Sequence, residues 1–271
     1  MFFKKILIAV DDTPPSQYAV DVGLAIARED RCPVVFGIAL DPTLTVSDCM
    51  FASIRELAEQ LASEIIDRAM KQAAADGVTA TSVTIFEDAV QGIIDLAKRE
   101  GAGLIAMGTH GRIPIAGFVR SVADEVLRKT NTPLCVIRRP RRGKVYHRIL
   151  VPVVDDQLSR EGAAYAVDVA RSFGSTLLFS TVPNGSQTLT PEGLLDHMKD
   201  YAGQHGVNAE GLVLKRQGPI SGAIATCARA EECDAIIMAS HARDGLPRLI
   251  EGSVTETTIR ASDIPVVVIR R

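Results

Sequence analysis

A glycine-rich loop in the first half of the chain carries residue types that bind phosphate. Residues 107–112 read MGTHGR, and Ser121 follows further along, directly preceded by Arg120. Gly108 and Gly111 would let the backbone approach a ligand closely, and a helix beginning near Ser121 would offer N–H groups and a hydroxyl donor. These residues indicate an anion site, although glycines that only form a turn after a strand would give the same pattern.

The same pattern returns in the second half of the chain with its glycines in different places. Residues 238–243 read MASHAR, so Ala239 and Ala242 stand where the first copy has glycines, whereas Gly252 now precedes Ser253. Alanine at a position with positive φ costs more than about 0.4–1 kcal/mol. We therefore expect the second loop to take a different course and to bind phosphate poorly.

Other reactive side chains lack the partners that catalysis or metal binding requires. His110 and His241 occupy matching loop positions, but no set of Cys, His or Asp at ligand spacing stands near them, which favours hydrogen-bonded loop histidines. Asp11–Asp12 and Asp155–Asp156 are typical of turns that lead into helices, and Ser221 lacks the spacing of a nucleophile elbow. We expect no enzyme, with at most slow and incidental hydrolysis of a bound nucleotide.

The composition argues against some classes of binding partner and predicts the cellular compartment of the protein. The net charge of -3 argues against a nucleic-acid binder, which would carry a basic excess. No apolar run approaches the roughly 18 residues of a membrane span, and the start, MFFKKILIAVDD, does not have the order of a signal peptide. The five cysteines show no CxxC spacing and lie mostly in apolar segments, as expected for reduced thiols of a cytoplasmic protein.

Both halves show the same alternation of strands and helices. Lys5–Val10 and Arg148–Val153 are continuous apolar runs, which indicate strands buried on both faces of a parallel sheet. Pro and Gly in residues 138–144 mark a boundary, so we place the domains at 1–139 and 146–271. The remaining strands are predicted at residues 33–40, 80–86, 103–108, 132–137, 175–182, 210–215, 235–240 and 264–269. The fold class is α/β, with two tandem doubly wound five-stranded parallel-sheet domains.

The helices after the first strand of each half have serines near their predicted starts. Ser16 and Ser159 are therefore candidate N-caps. A long helix near residues 51–76 corresponds to a shorter one near 190–205, and this region holds most of the length difference between the halves.

Ligands of doubly wound sheets bind at the carboxyl ends of the strands, where the strand order reverses. In the first half this edge should bring together Asp11 after the first strand, Ala39 at the end of the second, and the loop from Gly108.

Several stretches together resemble the universal stress protein family, and the resemblance covers nearly the whole chain. They are LIAVDDTPPS, MGTHGR, SVADEVLR and TPLCVIRR. The resemblance implies two domains of the adenine nucleotide alpha hydrolase-like fold related by a pseudo-twofold axis. It also implies a site that often binds ATP through Gly-x-x-Gly, nine residues, and then Gly-Ser or Gly-Thr.

Transferred position by position, the resemblance gives the first half a nearly complete nucleotide site. Asp11 and Ala39 would enclose the adenosine, and the phosphate side would consist of Gly108, Gly111, Ser121 and Val122. The departure is Arg120, which replaces the later glycine after a spacer of only eight residues. Its guanidinium could fill the phosphate pocket or bind phosphate in bidentate fashion.

The second half departs further from the family pattern. Val154 stands at the position of the acid, with Asp155 one place on, although the nine-residue spacer and Gly252-Ser253 remain. The resemblance therefore favours ATP, with Mg²⁺, in the N-terminal domain only.

Two classes of function follow, with a third less favoured. The chain would be a cytoplasmic stress-response protein that senses a nucleotide for an unknown protein partner, or an interaction module whose nucleotide sites have eroded. In the third class the altered clefts bind another small molecule or a metal. The resemblance also implies that the fifth strands pair the two domains within one chain, and it leaves a homodimer open.

Overall fold

The computed structural model describes residues 1–40, 49–109, 121–140, 145–183, 188–215, 218–240 and 254–270, and in 49–54 only the backbone. These residues form two compact units.

The first unit is a parallel sheet with helices on both faces, as the apolar runs predict. Its elements are β1 (Ile6–Ala9), α1 (Pro14–Asp30), β2 (Val34–Ala39), α2 (Cys49–Ala75), β3 (Ala80–Ile85), α3 (Ala89–Arg99), β4 (Leu104–Gly108), α4 (Val122–Lys129) and β5 (Leu134–Ile137). The strand order is β3-β2-β1-β4-β5, and every pair is parallel. The order reverses between β1 and β4, so the predicted switch point lies at the carboxyl ends of these two strands.

The second unit repeats this arrangement. Its elements are β6 (Arg148–Pro152), α5 (Gln157–Phe173), β7 (Thr176–Thr181), α6 (Pro191–Gln204), β8 (Ala209–Val213), α7 (Ile220–Ala230), β9 (Ala235–Ser240), α8 (Val254–Ala261) and β10 (Val266–Arg270). The order β8-β7-β6-β9-β10 is again entirely parallel. The predicted fold class of two tandem five-stranded parallel sheets is therefore confirmed.

The start of α1 differs from the prediction, because the N-cap is Thr13 and not Ser16. Pro14 and Pro15 occupy the first helical positions, where their missing N–H groups cost nothing. The Thr13 hydroxyl accepts a hydrogen bond from the backbone N–H of Ser16 at 3.4 Å. The Ser16 hydroxyl points back to the preceding turn and accepts from the N–H of Asp11 at 2.8 Å.

The start of α5 has the same pair of bonds, so the Ser159 N-cap prediction is also wrong. Asp156 is the cap, and its carboxylate accepts from the N–H of Ser159 at 2.7 Å. The Ser159 hydroxyl accepts from the N–H of Val154 at 3.2 Å. In both units, therefore, a buried serine in the first turn fixes the strand-to-helix turn, and the cap lies three residues earlier.

Gly108 is needed at the end of β4 because α1 packs directly against it. A Cβ at this position would lie 2.3 Å from the carbonyl carbon and oxygen of Pro15 and 2.7 Å from the Ser16 nitrogen. The expectation of a positive φ fails here, since the φ of Gly108 lies outside the left-handed region. The glycine is required by close packing of two backbones.

The second unit satisfies the same packing constraint with glycine on the other partner. Ala239 stands at the end of β9, and α5 carries Gly162, whose added Cβ would meet the Ala239 methyl at 3.0 Å. The corresponding residue of α1 is Ala19, which is buried. In the second unit the close approach of helix and strand thus has glycine on the helix, at Gly162, and alanine on the strand, at Ala239.

An ion-pair network anchors the start of the second sheet. The Arg148 guanidinium donates to both carboxylate oxygens of Glu210 at 3.0 and 2.8 Å and to the carbonyl oxygen of Glu231 at 2.9 Å. These hydrogen bonds lower the pKa of the Glu210 carboxyl. The network connects β6, β8 and the end of α7.

We predict that Gly108→Ala destabilises the protein by about 1–3 kcal/mol, because the new methyl must displace the backbone of α1. Gly222→Ala is the matched control: nothing lies within 4 Å of its added Cβ, and alanine raises helix stability by about 0.5–1 kcal/mol. Urea unfolding of both variants measures the difference, and equal midpoints would contradict this account of Gly108.

We predict that Glu210→Gln lowers the free energy of unfolding by about 0.5–1 kcal/mol at neutral pH, the range for a well-formed exposed pair. Because the folded-state pKa of Glu210 is lowered, its contribution is complete above the unfolded pKa of about 4.3. It is lost as the pH falls through the lower folded-state pKa. Denaturant unfolding from pH 7 to pH 3 should therefore show the two proteins converging in acid. The exposed Glu87→Gln is the control, and a difference that does not shrink as the pH falls from 5 to 3 would contradict the assignment.

Candidate functional site

Asp11 lies at the carboxyl end of β1 in a turn that fixes its orientation. Its N–H is bound by the Ser16 hydroxyl, and one carboxylate oxygen accepts from the N–H of Thr13 at 2.9 Å and from the Thr13 hydroxyl. The residue is nevertheless exposed. The result is a carboxylate held in place and presented to solvent at the predicted switch point.

A cleft of about 260 Å³ opens beside Asp11, between the β1–α1 turn and the helices α1 and α2. Apolar side chains form part of its wall, and polar side chains from the turn and both helices complete it. The lining residues are Val10, Asp11, Asp12, Thr13, Pro14, Ser16, Gln17, Val20, Ile65, Arg68 and Ala69. An apolar lining with a few converging polar groups is the usual composition of a small-molecule site.

Side-chain hydrogen bonds between α1 and α2 fix one side of this cleft. The Gln17 amide donates to Gln72 at 2.8 Å, and the Gln72 amide donates to Asp21 at 2.8 Å. At the mouth, the guanidinium of Arg68 lies 3.7 Å from the carboxylate of Asp12. Both of these side chains are largely exposed, at 63% and 78%.

Ala39 ends β2, the strand next to β1, and is half-buried. The register pairs Ala9 with Gly37, and the Val10 N–H donates to the Gly37 carbonyl at 2.9 Å. Ala39 therefore lies on the same carboxyl edge as Asp11. Gly108 reaches this edge from the other side of β1, because it packs against the start of α1.

Ser121 is the N-cap of α4, where its hydroxyl oxygen accepts from the N–H of Asp124 at 3.1 Å. Its hydroxyl proton can still be donated to a ligand. Val122 is the first helical residue and is 41% exposed. Asp124 and Glu125 lie in the first turn and already complement the helix dipole. Gly111 and Arg120 lie outside the described residues.

The second unit has a different site at the corresponding place. Val154 takes the position of Asp11, since its N–H donates to Ser159 as that of Asp11 does to Ser16. The carboxylate of Asp155 is 5% exposed, pairs with Arg160 at 2.8 Å and accepts from the N–H of Leu189 at 3.2 Å. This carboxylate is occupied by the protein's own groups. Gly252 and Ser253 lie outside the described residues.

Four of the cysteines are buried free thiols, as predicted. Burial raises the pKa of Cys32 and Cys233 to about 12 and that of Cys227 to about 11. These three thiols stay protonated at neutral pH and are poor nucleophiles. Cys135 is buried as well. His110 and His241 lie outside the described residues, and Ser221 is buried in α7.

Sequence reasoning missed Thr13 as the cap, and it missed Arg68. Pro14 and Pro15 directly after Thr13 were a usable signal for the cap, because proline favours the first helical positions. No local signal identified Arg68, because its contact with Asp12 joins residues that are 56 positions apart on different elements. In the described part of the chain, no helix is long and apolar enough to cross a membrane.

Comparison with known proteins places the chain in one family. The model of the universal stress protein family matches residues 2–138 and again 145–270. A universal stress protein of Methanocaldococcus jannaschii is 27% identical over 144 residues, covering 52% of this chain and 85% of that protein. The universal stress protein YxiE of Bacillus subtilis is 25% identical over 150 residues, covering 50% of this chain and 99% of that protein.

A solved structure supports the fold over the full length. The crystal structure of a universal stress protein from Archaeoglobus fulgidus aligns with a TM-score of 0.80 at 22% identity, covering 98% of this chain and 96% of that one. Because the family model covers both units separately, the chain belongs to the universal stress protein family and contains two of its domains in tandem.

Proposed function

We propose that the chain is a stress-response protein that binds an adenine nucleotide, ATP with Mg²⁺, in its first domain. The observation that carries this proposal is the convergence of the Asp11 turn and the end of β4 at the start of α1. This is the switch point of the sheet, where ligands of doubly wound folds bind.

The adenosine end of the nucleotide fits the Asp11 side of this edge. The carboxylate is fixed by Thr13 and is accessible, so it can accept hydrogen bonds from ligand donors without reorganising. The cleft beside it offers apolar surface from Val10, Val20 and Ile65. A negatively charged rim repels phosphate, so the phosphates must point away from Asp11 and Asp12.

The phosphate end fits the start of α4. The hydroxyl of Ser121 and the N–H groups of the first turn, beginning at Val122, are donors, and a helix start favours an anion. Gly108, Gly111 and Arg120 complete the phosphate side of the proposed site, with Arg120 as a bidentate phosphate ligand.

The second domain is proposed to bind no nucleotide. It has Val154 in place of the fixed carboxylate, and the adjacent Asp155 is held by Arg160 and Leu189. Retained Gly252 and Ser253 would supply only part of the phosphate side. Occupancy of one domain then makes the chain a single-site sensor.

The proposed role is binding without turnover. The described residues that line the cleft carry two carboxylates, two hydroxyls, an amide and a guanidinium, but no histidine or thiol poised as a base or nucleophile. Any ATP hydrolysis should be slow and incidental, and the signal would be a conformation read by a protein partner.

We predict one ATP site per chain, with Asp11→Asn raising the Kd for ATP about tenfold. The asparagine keeps the oxygen that Thr13 needs, so the turn survives while the charge-assisted bond to the ligand is weakened. Wild-type protein at a hundredfold excess of ATP over Kd should gain about 2.7 kcal/mol of stability. Calorimetric titration and thermal shift with Mg²⁺-ATP measure both effects. Asp95→Asn, an exposed carboxylate on α3 outside the lining of the cleft, is the control and should bind as wild type. Absence of binding by wild-type protein at millimolar ATP would refute the proposal.

We predict that Arg120→Gly weakens ATP binding by about tenfold and leaves adenosine binding unchanged, because the guanidinium contacts phosphate only. Titration with ATP and with adenosine separates the two contributions. A higher ATP affinity of the variant would show that Arg120 fills the phosphate pocket.

A further inference from the structure

Arg68 places a planar cation at the mouth of the cleft in the first domain. It follows Ile65 by three residues, so both side chains lie on the face of α2 that lines the cleft. In the described part of the chain its ion-pair partner is Asp12, at 3.7 Å. This distance is longer than the limit of about 3.2 Å for an N–H···O hydrogen bond. The contact is therefore a loose ion pair, and the largely exposed guanidinium stays accessible to a ligand in the cleft.

The helix that carries Arg68 is fixed against α1 beside the cleft. One turn further along α2, the Gln72 side chain donates to Asp21 at 2.8 Å and accepts from Gln17 at 2.8 Å. Gln17 also donates to Asp21 at 3.1 Å, and it is itself a lining residue of the cleft. The backbone at Arg68 therefore needs little rearrangement when a ligand enters, which lowers the entropic cost of binding.

A nucleobase in this cleft needs partners for its two flat faces. Among the described residues that line the cleft, none is aromatic. Val10, Val20 and Ile65 supply aliphatic surface, and the Arg68 guanidinium is the planar cation. An arginine plane stacks on the face of a base, through cation–π attraction and the contact of two flat groups.

The size and charge of the cleft restrict which part of a nucleotide it can hold. Its volume of 260 Å³ lies below the range of roughly 300–1,000 Å³ typical of sites that enclose a whole drug-sized ligand. The carboxylates of Asp11 and Asp12 line it and repel phosphate. The cleft therefore suits the uncharged base and ribose of a nucleotide whose phosphates lie outside it.

We propose that Arg68 stacks on the nucleobase of the bound nucleotide and gives the site a preference for purines over pyrimidines. This inference rests on the proposed nucleotide binding and names the residue that selects the base. A purine has two fused rings, so it covers more of the guanidinium than the single ring of a pyrimidine does. The other face of the base packs against the aliphatic side chains of the cleft.

The test is calorimetric titration of wild-type protein and Arg68→Lys with ATP, GTP and UTP, each with Mg²⁺. Lysine keeps the charge that faces Asp12 but removes the plane. Wild-type protein should bind ATP at least fivefold more tightly than UTP. The variant should bind ATP at least fivefold more weakly than wild type and prefer it to UTP by less than twofold. The ratio of ATP to GTP affinity should stay within twofold of its wild-type value, because stacking does not read the edge of the base.

Arg28→Lys is the matched control. Arg28 lies on α1 outside the lining of the cleft and has a similar loose ion pair, with Asp76 at 3.8 Å and 58% of its side chain exposed. This variant should keep the affinities and the base preference of wild type. Urea unfolding of all three proteins should coincide, because both substitutions keep the charge of an exposed side chain.

An unchanged ratio of ATP to UTP affinity in Arg68→Lys would overturn the inference, because Arg68 would then make no contact with the base. A change in the ratio of ATP to GTP affinity as large as that of ATP to UTP would overturn it as well, since Arg68 would then bond to the edge of the base. Absence of nucleotide binding by wild-type protein is a separate result, which refutes the proposed function and with it this inference.

Discussion

The close approach of the first helix of each domain to the end of the fourth strand is the contact on which the rest of the site depends. At 2.3 Å from the backbone of Pro15, a Cβ on residue 108 has no room. In the second domain the close contact lies about one turn further along the helix, where Gly162 faces Ala239. This contact sets where the strand-to-helix turn lies, and with it the position of Asp11 or Val154. The glycine at position 108 is therefore explained first by packing.

The buried serine that holds the turn is the same in both domains, while the residue that faces solvent from the turn is not. Ser16 and Ser159 are buried and make equivalent bonds. Asp11 and Val154, whose side chains point away from the core, differ in charge. Because the serine hydroxyl bonds the backbone N–H of this residue, the turn forms with either side chain, although only Asp11 adds bonds to Thr13. For this reason two domains of one fold can carry unequal sites.

The sequence was sufficient for the order, type and approximate bounds of the strands, because strands buried on both faces read as unbroken apolar runs such as Ile6–Ala9. It was not sufficient for the caps, since Ser16 has the right chemistry for a cap but uses it on Asp11. It also could not find Arg68 or the contact between Asp155 and Leu189, because both depend on where the helix after the second strand packs. Within the candidate site, Asp11 was predictable from its place after β1. The wall formed by Ile65 and Arg68 of α2 was not predictable.

The helix after the second strand explains why Asp12 and Asp155 have different surroundings. In the first domain α2 has 27 residues and lines an open cleft with Ile65 and Arg68. In the second domain α6 has 14, and the residue before its cap, Leu189, bonds to Asp155 with its own backbone. Asp12 and Asp155 occupy the same place in the turn, yet one meets an exposed arginine at 3.7 Å and the other is buried by a tight pair. A buried carboxylate must have its partners inside the protein, so the second domain stabilises itself with the group that the first domain leaves accessible. Ile65 and Arg68 of the longer α2 thus line the cleft beside the Asp11 turn, whereas the chain before the shorter α6 brings Leu189 to Asp155.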